Sequence, residues 1–159
     1  MTLDAGQQRA LEDLYDRYGQ ALDDGPLDSW PALFTPECTY LVIPRDNFEQ
    51  GLPLAIMRCE SRAMLEDRVR SVQETIMHEP RYLRHQITNV RGTPRATGEI
   101  DVVANYVVIE VLPDELPKIL SVGRYLDVVV AAEDGSLCFR EKRVVYDSVL
   151  VPNTIVYPL

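Results

Sequence analysis

The segment Ser61-Arg-Ala-Met-Leu-Glu-Asp-Arg-Val-Arg-Ser-Val-Gln-Glu-Thr-Ile-Met-His-Glu-Pro-Arg-Tyr-Leu-Arg-His-Gln-Ile-Thr-Asn-Val90 changes its period partway along. Leu65, Val69, Val72 and Ile76 fall on one helical face, Ser61 can cap that helix, and Glu66 with Arg70 makes an i,i+4 pair on the solvent side. After Pro80 the pattern switches to period two, and Arg84 and His85 open a strand. Both histidines of the chain, His78 and His85, lie here, so a catalytic base of its own is to be sought in this stretch.

Upstream, Leu11, Leu14, Tyr15, Tyr18 and Leu22 are spaced as one face of a helix over Ala10–Leu22. Asp4, Glu12, Asp13 and Asp16 favour its N-terminal half, and Gly25-Pro26 stops it. Asp28-Ser-Trp-Pro-Ala-Leu-Phe34 reads as a short second helix whose Trp30, Leu33 and Phe34 fold back onto the first. Thr35-Pro36 reads as a break, Cys38–Ile43 as a strand, Pro44–Asn47 as a turn and Leu54–Cys59 as a second strand.

Downstream, three long β stretches are expected, about Glu99–Val111, Leu120–Ala131 and Leu137–Val149, with Ala132-Glu-Asp-Gly135 as a hairpin turn. Strict alternation puts Leu137, Phe139, Glu141, Arg143 and Val145 on one face of the last strand. Cys138, Arg140, Lys142, Val144 and Tyr146 take the other. Neither face is wholly apolar, which fits an edge, a curved wall or a face covered by another subunit. Helices segregated from a run of antiparallel strands read as α+β, a curved sheet packed on N-terminal helices to form a cone with a mouth. No repeat or linker divides the chain, so one domain over 1–159 is expected.

A chain of 159 residues with 46% apolar content buries roughly 70% of its unfolded surface and needs no staples. A net charge of −9 makes a nucleic-acid partner unfavourable. No apolar run is long enough to cross a membrane, and the polar start lacks a signal-peptide core. Cys38, Cys59 and Cys138 are scattered and odd in number, which fits buried thiols in a reducing cytoplasm better than a disulfide framework or zinc site.

The residues exclude several chemistries. A mononuclear non-haem iron needs two histidines and a carboxylate, and a seven-residue gap from His78 to His85 across a proline break offers no facial triad. A Rieske cluster needs two Cys and two His, which three isolated cysteines do not offer, and no GxGxxG follows a strand. One acid–base constellation stays open: His85 with Asp16 or Asp23 from the first helix, and Tyr15 or Tyr18 as donor. The alternative is that Arg84 and His85 hydrogen-bond backbone or carboxylates at a subunit surface.

Several segments, taken together and in order, resemble the small (beta) subunit of aromatic-ring-hydroxylating dioxygenases. They include Trp30-Pro-Ala-Leu-Phe-Thr35, Gly51-Leu-Pro-Leu54, Arg58-Cys-Glu-Ser61, Met64-Leu-Glu-Asp-Arg-Val69, Arg84-His85 with Thr88-Asn-Val90, and Gly123-Arg-Tyr-Leu-Asp127. Further on come Gly135-Ser-Leu-Cys-Phe-Arg-Glu-Lys142, Val145-Tyr-Asp-Ser148 and Tyr157-Pro-Leu159. The resemblance implies a cone fold of the nuclear-transport-factor-2 and scytalone dehydratase kind. It implies a non-catalytic structural subunit with no cofactor or metal of its own. The expected partner is a large (alpha) subunit carrying a [2Fe-2S] Rieske cluster and a mononuclear iron, assembled as three large and three small chains.

On the matching motifs, Arg84, His85, Arg124, Tyr125 and Asp147 are expected to make structural or intersubunit contacts. Asp23-Asp-Gly-Pro26 with Trp30-Pro31, and Val151-Pro-Asn153, look closer to salicylate-, anthranilate- or terephthalate-type subunits, hence an aromatic carboxylate substrate. Two other readings stand beside this one: a stand-alone cone-fold lyase or isomerase using His85 and an aspartate, and a small-molecule binding module without turnover.

Overall fold

Helix α1 (Ala5–Asp23) starts at Asp4, whose carboxylate accepts the Gln7 N–H (2.8 Å) while the Gln7 side chain accepts the Asp4 N–H (3.0 Å). This capping box satisfies two backbone donors that the first turn leaves open and extends the helix five residues beyond the apolar repeat. Gly25, at φ +72°, ends it in the left-handed conformation that favours glycine. The computed structural model describes residues 2–74, 80–150 and 155–159; His78, Ile76 and Val151-Pro-Asn153 lie outside them.

The expected second helix is instead two single 3-10 turns, Leu27–Ser29 and Pro31–Leu33. Pro31 has no N–H to extend a helix from within, so the chain turns twice and buries Trp30 and Leu33 without one. Strand β1 (Phe34–Pro44) then runs straight through Thr35-Pro36, which does not break it. A register shift between Phe34 and Thr39 absorbs the proline as a bulge. The expected turn at Pro44 opens a short helix α2 (Arg45–Glu49), and the second strand shrinks to β2 (Met57–Cys59).

Helix α3 (Arg62–Glu74) buries Leu65, Val69 and Val72 as the spacing required; Arg70 pairs with Asp67 (3.2 Å), three residues back and not four. Strands β3 (Tyr82–Pro94), β4 (Ile100–Val111), β5 (Lys118–Ala131) and β6 (Leu137–Tyr146) form an antiparallel meander. The six strands make one curved, unclosed sheet in the order β2-β1-β6-β5-β4-β3, with β1 and β6 parallel. Helix α1 packs along β3 and fills the concave side, giving the α+β cone.

The interior is aromatic. Tyr15, Tyr18, Trp30, Phe34, Tyr40, Tyr106, Tyr125 and Phe139 are all buried, mostly meeting edge to face at 5–6.5 Å, with Tyr106 stacked on Tyr125 at 4.6 Å. Gly123 lets β5 close on β6: a Cβ there would stand 2.0 Å from the Val145 carbonyl oxygen. The last strand breaks the expected alternation. Val129 pairs with Phe139 but Val128 with Glu141, so Arg140 bulges and the parity flips. Phe139 and Lys142, expected on opposite faces, both point inward.

Candidate functional site

Two regions carry the chemistry of this chain: the inside of the cone and the uncovered outer face of the sheet. Inside, the register that pairs Asp127 on β5 with Lys142 on β6 sets a carboxylate against an ammonium, both with fully buried side chains, at 2.9 Å. Asp127 is otherwise saturated, accepting the Tyr15 hydroxyl (2.5 Å) through Oδ2 and the Arg143 N–H (3.1 Å) through Oδ1. Lys142 Nζ sits over the faces of Tyr125 (3.6 Å), Tyr18 (4.2 Å), Phe139 (4.4 Å) and Tyr15 (4.8 Å). Burial pulls the Lys142 amine down to about 8, against the opposing pull of Asp127. Burial, reinforced by Asp127, pushes the Tyr15 phenol well up.

The second interior cluster is His85 with Asp23. The end of α1 brings Asp23 to the start of β3, where Oδ1 accepts from His85 Nδ1 (2.6 Å) and Oδ2 accepts the His85 backbone N–H (2.8 Å). The His85 side chain is fully buried and edge-on to Tyr18 at 6.4 Å. The other ring nitrogen, Nε2, is buried without a hydrogen-bond partner among the described residues. A dyad of this shape can move a proton only if a substrate reaches Nε2. Surface cavities of 440 Å³ (Arg17, Gln20, Gly25, Ser29) and 260 Å³ (Glu12, Tyr15, Asp16, Asn89) are not lined by His85.

The structure therefore joins His85 to Asp23 and sets Tyr18 beside the imidazole, but separates them from Asp16 and Tyr15 of the acid–base reading. Asp16 is exposed on α1, and Tyr15 is committed to Asp127. Among the described residues no three His, Cys, Asp or Glu side chains cluster to hold a metal ion. Of the residues expected at contacts, His85 and Tyr125 are core. Arg84 is half exposed and pairs with Asp24 (2.7 Å), Asp147 is exposed and pairs with Arg45 (3.3 Å), and Arg124 is partly exposed on the outer sheet face. Lys142, Tyr40 and Asp127 entered the sequence reading only as members of motifs and strands, and none was expected at a site. The one available signal was a lysine and an aspartate inside apolar strand runs.

Outside, α2 covers the sheet only at β1 and β6, where Ile43 and Val145 are buried. Among the described residues no helix lies over the outer face formed by β3, β4 and β5. Its register sets Arg84, Ile109 and Ile119 in one row, Gln86, Val107 and Val122 in the next, and Thr88, Asn105 and Arg124 in a third. Ile119 is 66% exposed, Val103 46% and Tyr82 73%. An apolar face edged by arginines is the anatomy of a protein contact.

The chain matches the family model described as ring hydroxylating beta subunit over residues 17–153. It is 36% identical over 146 residues to the anthranilate 1,2-dioxygenase small subunit of Burkholderia cepacia, covering 92% of this chain and 90% of that one. A crystal structure assigned as the beta subunit of an aromatic-ring-hydroxylating dioxygenase from Novosphingobium aromaticivorans superposes with a TM-score of 0.84 at 32% identity, covering 94% of each chain. A scytalone-dehydratase-like protein from the same organism shares the fold at a TM-score of 0.71 and 19% identity, over 90% of this chain and 85% of that one.

Proposed function

Because this chain belongs to the ring hydroxylating beta subunit family, we propose that it works by assembly, docking a catalytic large subunit through the open face of its sheet. The chain is the small subunit of an aromatic-ring-hydroxylating dioxygenase, an oxidoreductase. The reading assigns the [2Fe-2S] cluster and the mononuclear iron to the large chain, with three copies of each subunit in the complex. The whole of 1–159 acts as one domain in the cytoplasm. The 36% identity to an anthranilate dioxygenase subunit supports an aromatic carboxylate as the substrate, bound by the large chain.

The observation that carries the docking face is the patch of exposed Val103, Ile119 and Val122, with half-buried Ile109, beside Arg84 and Arg124, uncovered among the described residues. Burying such a face on a partner removes apolar area from water at about 25 cal/mol per Å². Co-expression with the large subunit and native mass measurement tests it. Wild type co-purifies as a three-plus-three complex, whereas Val122→Asp or Ile119→Asp leaves a folded small subunit that no longer co-purifies. Full assembly of both variants refutes the docking face.

A further inference from the structure

The outer face of the sheet carries a charge pattern that its apolar patch alone does not explain. The register sets Arg91, Val103, Leu126 and Arg143 in one row across β3, β4, β5 and β6, so an apolar pair lies between two arginines. Arg124 stands two residues from Leu126 on β5, on the same face and diagonal to Arg143. Neighbouring strands lie about 4.8 Å apart, so the stems of the three arginines span roughly 14 Å.

Arg91 is exposed, and Arg124 and Arg143 are half-buried. Arg143 Nε donates to the Leu126 carbonyl (2.9 Å), and its guanidinium lies 5.9 Å from the Phe48 ring of α2. Those contacts orient the guanidinium and leave its charge uncompensated. Among the described residues none of the three forms an ion pair. The chain has 25 acids against 16 lysines and arginines, so a basic cluster without a carboxylate runs against its composition. The acids bordering the face are engaged elsewhere: Asp101 with Arg95 (2.5 Å), Glu141 with Arg140 (3.4 Å) and Asp147 with Arg45 (3.3 Å). Like charges held in one patch repel, and in the free chain only water and salt screen them. The planar fork of a guanidinium matches a carboxylate, so the cluster is satisfied when carboxylates from outside reach it. An apolar strip flanked by such forks fits a segment of mixed character, with apolar side chains on Val103 and Leu126 and acids at its sides.

We propose that Arg91, Arg124 and Arg143 form a carboxylate-reading site on the docking face, whose occupant is a segment of the large subunit carrying aspartate or glutamate around an apolar contact. The inference rests on the docking reading and adds the chemistry of the partner to it.

The test uses the co-expressed complex. Arg91→Gln with Arg124→Gln removes two charges that pair with no acid among the described residues, so the isolated small subunit keeps its unfolding midpoint within about 2 °C. The protein concentration at which the complex dissociates rises about tenfold or more over wild type at about 0.1 M salt. The gap closes to within about threefold at about 1 M, where the Debye length is about 3 Å. Val103→Ala weakens the complex alike at both salts. An unchanged dissociation concentration at low salt for the double variant, or a gap that salt does not alter, overturns the proposal. Arg124→Lys gives a second reading, because a water-soluble carbodiimide condenses its amine with a carboxylate in contact. Peptide mapping then finds an amide between position 124 and an aspartate or glutamate of the large subunit; attachment to a second copy of this chain, or to nothing, overturns the proposal. If Val122→Asp abolishes assembly while these results are negative, the face docks by apolar contact alone and only the carboxylate reading fails. Full assembly of both Ile119→Asp and Val122→Asp shows instead that the docking reading itself has failed.

Discussion

Lys142→Met removes one half of a buried ion pair and leaves the other. At 2.9 Å and an effective dielectric of about 20, Lys142 and Asp127 attract by about 6 kcal/mol. Contact with the aromatic faces adds up to about 2 kcal/mol, and desolvating the two ions takes back several kcal/mol for each. The pair is thus near balance as a pair, but an Asp127 carboxylate without its ammonium keeps its desolvation cost. Tyr15 and the Arg143 N–H still donate to it and soften the loss. The single variant is expected to lose about 3–5 kcal/mol, a fall in melting midpoint of roughly 6–20 °C for a chain of this size. Lys142→Met with Asp127→Asn keeps acceptors and donors for Tyr15 and Arg143 while removing both charges, and is expected to recover most of that loss. Urea titration of wild type, both single variants and the double variant closes the cycle. If Lys142→Met lies within about 1 kcal/mol of wild type, or if the double variant is no better than the single, the pair is not the buried, coupled unit described above.

Two further outcomes follow from the same core. The Lys142 amine sits at about 8 in the fold and at 10.5 when free, so the folded state binds fewer protons than the unfolded between those values. Stability gains with pH across that window by up to about 1.4 kcal/mol per unit, until near pH 10 the buried tyrosines, whose pKa is raised by burial, reverse the slope. The difference between wild type and Lys142→Met, measured by chemical denaturation from pH 7 to 10, isolates the term, and a difference that does not change with pH contradicts it. Gly123→Ala drives a methyl into the Val145 carbonyl and Tyr146 Cα, both backbone atoms that cannot rotate away. It is expected to cost more than about 2 kcal/mol and to raise amide exchange in β5 and β6 first; an unchanged melting midpoint argues against so close a strand approach.

The local patterns determined a good deal. The apolar face of α1, the buried stripe of α3 and the succession of long strands at the C-terminal end come from periods of 3.6 and 2 that each segment carries by itself. The colinear motifs, read as a resemblance, led to the family and to the cone. Errors arose where neighbours in space, not in sequence, decide. Pro36 breaks nothing because the partner strand accepts a bulge, and Trp30-Pro31 needs no helix to bury its indole. The single extra residue at Arg140 moves Lys142 from the face expected opposite Phe139 to the same inward side, in the middle of the core. Alternation is a local rule, but its phase is set by hydrogen bonding to β5, which no window on β6 contains. The His85–Asp23 pair spans 62 positions, and the docking of Leu159 on Tyr18 spans 141. The residue types were visible in the sequence. Which of them meet was decided only when sheet curvature and register closed the cone, because a charge or a hydroxyl has no preferred partner until burial removes water as the alternative.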